Sequence, residues 1–376
     1  MSMRINYLPA PTWNWLKMNF KEVDEWQGKK EDAKITLPEG VTLTTLEDAE
    51  NSDKSFDFNE VGTGMGPEIG KIIDDSKVAT QRFVCEENRE IETPVFVDLN
   101  YDGEDENGNQ NYVNSYEVLL KENSSATFVF CYSSKKKSIA LNQVKFIVEK
   151  NAKLSLVQLH MLGDEFNMFS DVGVRIDENA NVSQVNLFIG GEKIYNGFRA
   201  DLAGKYSSIE SDYGYIVKGE EELDINYVAN HLGKKTNSDI LVNGVLRDKG
   251  KKMFRGTIDL RRGGKEAVGA ENEDVLMIDE GVRNQTVPLI LCTEEDVSGT
   301  HGATIGKIDE DLMFYLQSRG LAKEYIYEMM AEARIKYVIN KIENENLRNR
   351  CLSFLGYDKD VEVENEVEVI GSRGEN

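Results

Sequence analysis

Histidine, proline and cysteine are scarce in this chain, and its basic residues are outnumbered. Among 376 residues there are three histidines, six prolines and four cysteines, and 44 Lys and Arg stand against 67 Asp and Glu, a formal net charge of −23. A nucleic-acid surface needs clustered Lys and Arg, so this balance argues against one. The longest basic run, Lys135-Lys136-Lys137, follows Ser133-Ser134 and reads as a solvated turn. Cys85, Cys131, Cys292 and Cys351 lie far apart with no C-x-x-C pair, which excludes a disulfide framework and a zinc site. No G-x-S-x-G elbow and no H-E-x-x-H helix occurs, so neither a serine hydrolase nor a zinc peptidase is indicated. No run of about 18 apolar residues is present, and Met1 to Trp15 lacks the apolar centre of a signal peptide. These absences lead us to expect a soluble cytoplasmic protein with reduced thiols, no membrane contact and no enzymatic centre.

The 40% of apolar residues suffices for a sizeable core. Residues 1–80 form a mixed, partly helical segment. It opens on Leu8-Pro9-Ala10-Pro11-Thr12-Trp13-Asn14-Trp15, where Trp13, Trp15, Leu16, Met18 and Phe20 form an apolar helical turn or a docking segment. Gly62-Thr63-Gly64-Met65-Gly66-Pro67 lacks the Lys-Ser/Thr of a phosphate loop and reads as a flexible joint.

Residues 81–302 change character. Short β-prone runs recur, among them Thr127–Cys131, Val144–Val148, Leu154–Leu159, Val182–Ile189, Tyr213–Val217, Leu223–Val228 and Ile240–Leu246, separated by Gly, Asn, Asp and Ser. Asn123-Ser124-Ser125-Ala126-Thr127 returns as Asn151-Ala152-Lys153-Leu154-Ser155 and as Asn179-Ala180-Asn181-Val182-Ser183, each copy 28 residues after the last. Asn tolerates the left-handed turn that opens each strand. A fixed period of turn plus strand is what a stacked solenoid needs, because each coil buries its apolar face only against its neighbours. Ala203-Gly204-Lys205-Tyr206-Ser207 reads as a degenerate fourth copy. A β-sandwich with similar turns is the alternative.

From 303 to 357 the period is helical. Ile308, Leu312, Tyr315 and Leu316 share one face, with Asp309, Glu310 and Asp311 near the helix start and Gly320 at its end. A second helix over 322–343 carries Ile326, Met329, Met330, Ala333 and Tyr337 at steps of three or four, and a short third includes Leu347, Cys351 and Phe354. An acidic tail, 358–376, follows. His160 and His231 close strand patterns and read as hydrogen-bonded structural residues, and Cys292, after Leu289-Ile290-Leu291, as a buried small apolar residue. His301 differs: it sits in Ser298-Gly299-Thr300-His301-Gly302-Ala303-Thr304, at the junction of strand and helix patterns, with small neighbours that permit close approach.

The run Glu295 to Glu310, continued by Asp311-Leu312-Met313-Phe314-Tyr315-Leu316-Gln317-Ser318-Arg319-Gly320-Leu321, resembles the signature of the SufB/SufD family, and His301-Gly302-Ala303-Thr304 is similar to its SufD form. Pro288, thirteen residues before His301, Phe254-Arg255-Gly256-Thr257-Ile258 and His231 extend the resemblance, which covers about 115–345. It implies a right-handed parallel β-helix core with a C-terminal helical domain, acting as a scaffold subunit in iron–sulfur cluster assembly. It implies a SufC-type ABC ATPase as partner of the C-terminal helices, with Leu312, Tyr315, Arg319, Tyr325 and Met329 as contact residues, and a SufB-type subunit, or a second copy of this chain, as partner of the β-helix. His301 is then the residue that meets iron or a nascent iron–sulfur cluster at the shared interface. Two departures bear on this. Many SufD chains carry Cys two residues before the histidine, where this one has Gly299, and some SufB chains have Cys where this one has Leu316. A cluster tightly held by this chain alone is therefore not expected. A β-helix carbohydrate enzyme is the reading from another class.

Overall fold

The computed structural model describes residues 2–45, 57–103 and 111–357. The expected acidic tail, 358–376, lies outside the described residues. The chain divides into two compact units, Met1–Lys307 and Ile308–Asn376.

The first unit is a β-solenoid of two nine-stranded sheets. Four short strands come first: β1 (Ser2–Ile5), β2 (Lys21–Asp24), β3 (Lys34–Thr36) and β4 (Val41–Thr45). One sheet then takes β5 (Gln81–Cys85), β7 (Asn111–Leu120), β9 (Ser138–Val148), β11 (Phe166–Ile176), β13 (Lys193–Leu202), β15 (Glu222–His231), β17 (Lys251–Leu260) and β19 (Arg283–Cys292). The other takes β6 (Glu90–Asn100), β8 (Ser125–Ser134), β10 (Lys153–Leu162), β12 (Asn181–Gly190), β14 (Ser208–Val217), β16 (Asn237–Leu246), β18 (Ala267–Met277) and β20 (Val297–Gly306). Strands β5 to β20 pair in parallel with the strand two places on. At the start, β4 and β3 pair antiparallel with β5 and β6 and close the stack.

The repeat seen in the sequence is the coil. Lys153 lies beside Ser125, and Asn181 beside Lys153, 28 residues apart each time. Asn123, Asn151 and Asn179 all hold φ between 56° and 59°, a region Asn tolerates better than most residues. Their amides form a ladder: Asn151 Nδ2 donates to Asn123 Oδ1 at 2.8 Å and Asn179 Nδ2 to Asn151 Oδ1 at 2.7 Å. The ladder reaches back to Asn88, which accepts from Asn123 at 2.8 Å. The fourth copy is real but lies three residues later than the sequence suggested. Tyr206, φ 63°, takes the Asn position and Ser208 stacks on Asn181. The period then stretches to 29 residues from Ser208 to Asn237 and 31 from Asn237 to Val268, which erases it from the sequence.

In-register stacking piles like residues into columns at the strand spacing of about 4.8 Å. Tyr132, His160 and Phe188 form one such column, with ring centroids 4.7 and 4.6 Å apart. Several strands are buried on both faces, β15 almost throughout, because the N-terminal segment covers the odd-numbered sheet. Met3, Ile5, Met65, Ile69 and Ile72 pack against Val113, Leu141, Phe169 and Tyr195, a row across four strands of that sheet. Each such burial contributes roughly 1.5–3 kcal/mol before ordering costs.

The glycine run at 62–66 is the hold-down of this cover, not a flexible joint. Gly64 N donates to Val172 O at 3.2 Å, Met65 N to Asp171 Oδ1 at 2.9 Å, and Asn226 Nδ2 to Gly64 O at 2.8 Å. A Cβ on Gly64 would fall 1.9 Å from Phe198 N, so glycine is needed for contact rather than for freedom. A second hold is Arg255, whose Nη1 meets Asp224 Oδ1 at 2.6 Å while its Nε donates to Met18 O at 2.6 Å. The Trp13 to Trp15 stretch makes a single 3-10 turn, Asn14–Leu16, and leaves both tryptophans about three-quarters exposed, 74% and 75%. Helix α1 (Gly70–Ser76) completes the cover.

The second unit holds α2 (Glu310–Ser318), α3 (Lys323–Ile339) and α4 (Glu345–Leu355). Asp309 caps α2 by accepting from Asp311 N and Leu312 N, and Asn344 caps α4 by accepting from Leu347 N. Gly356, φ 72°, ends α4. Ile326, Ala331, Ile335, Val338, Ile339, Leu347 and Cys351 are buried. No helix of the described residues is long and apolar enough to cross a membrane.

Candidate functional site

Among the described residues, no strand stacks on the last coil. Strands β19 and β20 each pair on one side only, with β17 and β18. Burial in β18 alternates, with Ala267, Gly269, Glu271, Glu273 and Val275 buried. In register above them on β20 lie Val297, Gly299, His301, Ala303 and Ile305. His301 therefore continues the inward column of Glu271. Having no further coil above it, it is exposed.

The interior below His301 is charged. Lys252 pairs with Glu273, both fully buried, and donates to Thr286 Oγ1 at 2.9 Å, while Thr286 donates to Glu273 Oε2 at 2.8 Å. This closed triangle satisfies groups that would be costly to bury alone. Glu271 reaches towards Gly256, where a Cβ would lie 2.1 Å from its Oε2. Burial, helped by the charge of Glu273, pushes the Glu271 carboxyl up to about 8. Directly beneath the exposed imidazole lies a carboxyl group that keeps its proton at neutral pH. The sequence does not reveal this cluster, because Glu271-Asn272-Glu273-Asp274 is a continuous polar run in which the inward positions look no different from the outward ones.

Cys292 corrects an expectation. It is exposed rather than buried, and its Sγ donates to Glu294 O at 3.0 Å. It stands in the column of Leu260, which is buried one coil earlier, but among the described residues no further strand stacks on β19. Gly299 also has a steric reason. A Cβ there would lie 2.9 Å from Ile290 Cγ2, so a cysteine at this position would require Ile290 to shift. No group of three or more His, Cys, Asp or Glu among the described residues could hold a metal ion. Among the described residues, the last coil thus presents one imidazole, from His301, and no thiol at position 299.

The other two histidines are structural. His160 is fully buried in its ring column, with Nδ1 3.3 Å from Leu187 O, and burial pushes it down to about 3. His231 Nδ1 lies 2.7 Å from Thr236 Oγ1 and Nε2 2.8 Å from Ser238 Oγ, and burial lowers it to about 4.

On the helical unit, α2 buries no residue at all. Leu312, Tyr315 and Arg319 are exposed and follow one another at steps of three and four, and the Arg319 guanidinium lies 5.2 Å from the Tyr315 ring centre. On α3, Tyr325 is exposed and Met329 half-buried. Phe314, 73% exposed, was not singled out from the sequence because it lies off the apolar stripe of α2. The helical unit thus carries several exposed aromatic side chains, Phe314, Tyr315 and Tyr325 among them.

Residues 103–334 match the family described as "SUF system FeS cluster assembly, SufBD core domain". Among curated proteins, the iron–sulfur cluster assembly protein SufD of Bacillus subtilis is 24% identical over 246 residues, covering 57% of this chain and 56% of that protein. SufD of Escherichia coli is 23% identical over 243 residues, covering 64% and 57%. A SufBD family protein of Mycobacterium leprae is 24% identical over 228 residues, covering 58% and 57%. The match spans a little over half the length of each relative. With the family match over most of the chain and the solenoid that carries it, the chain belongs to the SufB/SufD family of iron–sulfur cluster assembly proteins and is SufD-like.

Proposed function

We propose that this chain is a non-enzymatic scaffold subunit of a SUF assembly complex, working in the cytoplasm with a SufC-type ABC ATPase and a SufB-type subunit. The observation that carries the reading is the bare final coil, which ends in unpaired strand edges and presents His301 at its mouth. An unpaired parallel edge invites another strand, so a second solenoid docked there would finish the stack and enclose the imidazole. Iron or a nascent cluster is the cargo. His301 would contribute one nitrogen, and the partner would contribute the thiolates that suit iron–sulfur chemistry. The exposed face of Leu312, Tyr315, Arg319, Tyr325 and Met329 is the proposed ATPase contact. ATP hydrolysis would belong to that partner, in keeping with a chain that carries no phosphate-loop Lys-Ser/Thr.

The test is co-expression with the SufC and SufB candidates of the same genome, followed by mass measurement and iron analysis of the purified complex. The reading expects a stable complex whose iron content falls several-fold in His301→Ala with assembly unchanged. Failure to associate with any ABC-type ATPase would overturn it. A complex of two copies of this chain with the ATPase alone would replace the SufB-type partner by a homodimer.

A further inference from the structure

The glycine run that failed as a phosphate loop returns in another guise. Where residues 59–70 cross the odd-numbered sheet they roof a cavity of about 350 Å³, lined by Asn59, Gly62, Thr63, Gln143, Lys145 and Arg199 among others. Among the described residues that line it none is a carboxylate, although the chain carries 67 acidic residues, and two are cations. Lys145 Nζ donates to Phe58 O at 3.1 Å and, among the described residues, has no carboxylate at ion-pair distance. Arg199 commits Nε and Nη2 to Asp201 at 2.9 and 3.0 Å, which fixes the guanidinium and leaves Nη1 towards the roof. At that point the roof is Gly62, where a Cβ would lie 2.6 Å from Nη1. Any other residue there would cover that donor. Asp171, the buried carboxylate that interacts with Lys145, is already occupied, accepting from Met65 N at 2.9 Å and from Gln143 Nε2 at 2.8 Å.

We propose that this cavity binds a small phosphate-bearing anion, held between Lys145, the free edge of Arg199 and the glycine roof. A fixed guanidinium edge together with an ammonium supplies charge-assisted donors suited to phosphate oxygens. The volume lies at the lower end of small-ligand sites, so it has room for a phosphate with a short organic carrier as well as for the free ion. The site is remote in sequence and sheet position from His301, and its use does not depend on the scaffold reading.

The experiment uses the full chain at constant ionic strength. Thermal midpoints are measured with inorganic phosphate, glycerol 3-phosphate and ADP, and deuterium exchange is followed over residues 58–70 with whichever ligand shifts the midpoint most. At about ten times Kd, one of the three should raise the midpoint by about 2 °C. Exchange over 58–70 should slow several-fold. Lys145→Gln should abolish at least half of the shift, Lys145→Arg should restore it, and Lys17→Gln, far outside the cavity, should keep it. The order of the three ligands tells free phosphate from a carried one. No shift with any of them, exchange at 58–70 unchanged by ligand, or a full shift surviving in Lys145→Gln would overturn the proposal. Should Lys145→Gln fail to fold, the exchange result on the parent chain decides alone.

Discussion

Replacing His160 by Phe isolates one buried titration. His160 stacks between Tyr132 and Phe188, and no charged side chain is among the causes that shift it. In the folded chain its proton comes on only near pH 3, against an unfolded value near 6.5. As pH falls from 7 to 5 the unfolded chain takes up that proton and the folded chain does not, so stability is lost through this window. The loss between those two values is about 2 kcal/mol, or about 3 °C in the melting midpoint of a unit this size. Phe fits the ring column and has nothing to protonate. At pH 7 it forgoes the bond between Nδ1 and Leu187 O, but it also removes Nε2, which is buried without a partner, so the net change there should stay within about 1 kcal/mol. Melting curves of parent and His160→Phe at half-unit steps from pH 5 to 7.5 check this. The difference between the two midpoints should move in favour of the variant as pH falls, while all other titrations cancel. A difference that stays constant across the range would refute the burial argument.

Three further outcomes follow from the same reasoning. Gly64→Ala forces a Cβ to within 1.9 Å of Phe198 N and should cost about 2–3 kcal/mol, seen as a lower midpoint and faster amide exchange over residues 62–66. Asn151→Ala removes two ladder bonds and puts Ala at φ 59°, at a cost of about 1–2 kcal/mol, whereas Asn151→Gly should lose less than half of that in urea unfolding. On the proposed function, the double change Phe314→Ala, Tyr325→Ala should weaken binding of a SufC-type ATPase at least about ten-fold in titration calorimetry, with a midpoint shift under about 1 °C, because both rings are largely exposed.

Much of this architecture can be read from the chain alone. Asn123, Asn151 and Asn179 announce the coil because a left-handed residue must recur wherever the turn recurs. They stop announcing it at Tyr206 because the turn geometry persists while the residue type changes and the period drifts. The strap at Gly62–Gly66 was illegible for a different reason. Glycine serves loose joints and close backbone contacts alike, and only the facing Gly197 and Phe198 decide between them. Cys292 was misplaced because strand composition does not reveal where a stack stops. His301 was legible as a position through its glycine-flanked motif, but the buried Glu271 beneath it was not, since inward and outward carboxylates look alike in the unbroken polar run Glu271 to Asp274.

The two ends of the solenoid are not equivalent, and this limits how it can grow. At its beginning β3 and β4 run against the grain of the sheets and are only three and five residues long, so they leave little edge on which another coil could stack. At its end β19 and β20 offer full ten-residue edges. A body with one adhesive end and one blunted end can form a pair but not a fibre, because joining the adhesive ends uses up both. On the proposed docking, the short reversed strands at the start of the solenoid would act as a counting device, holding a stack at two solenoids without any residue of the contact itself having to specify it.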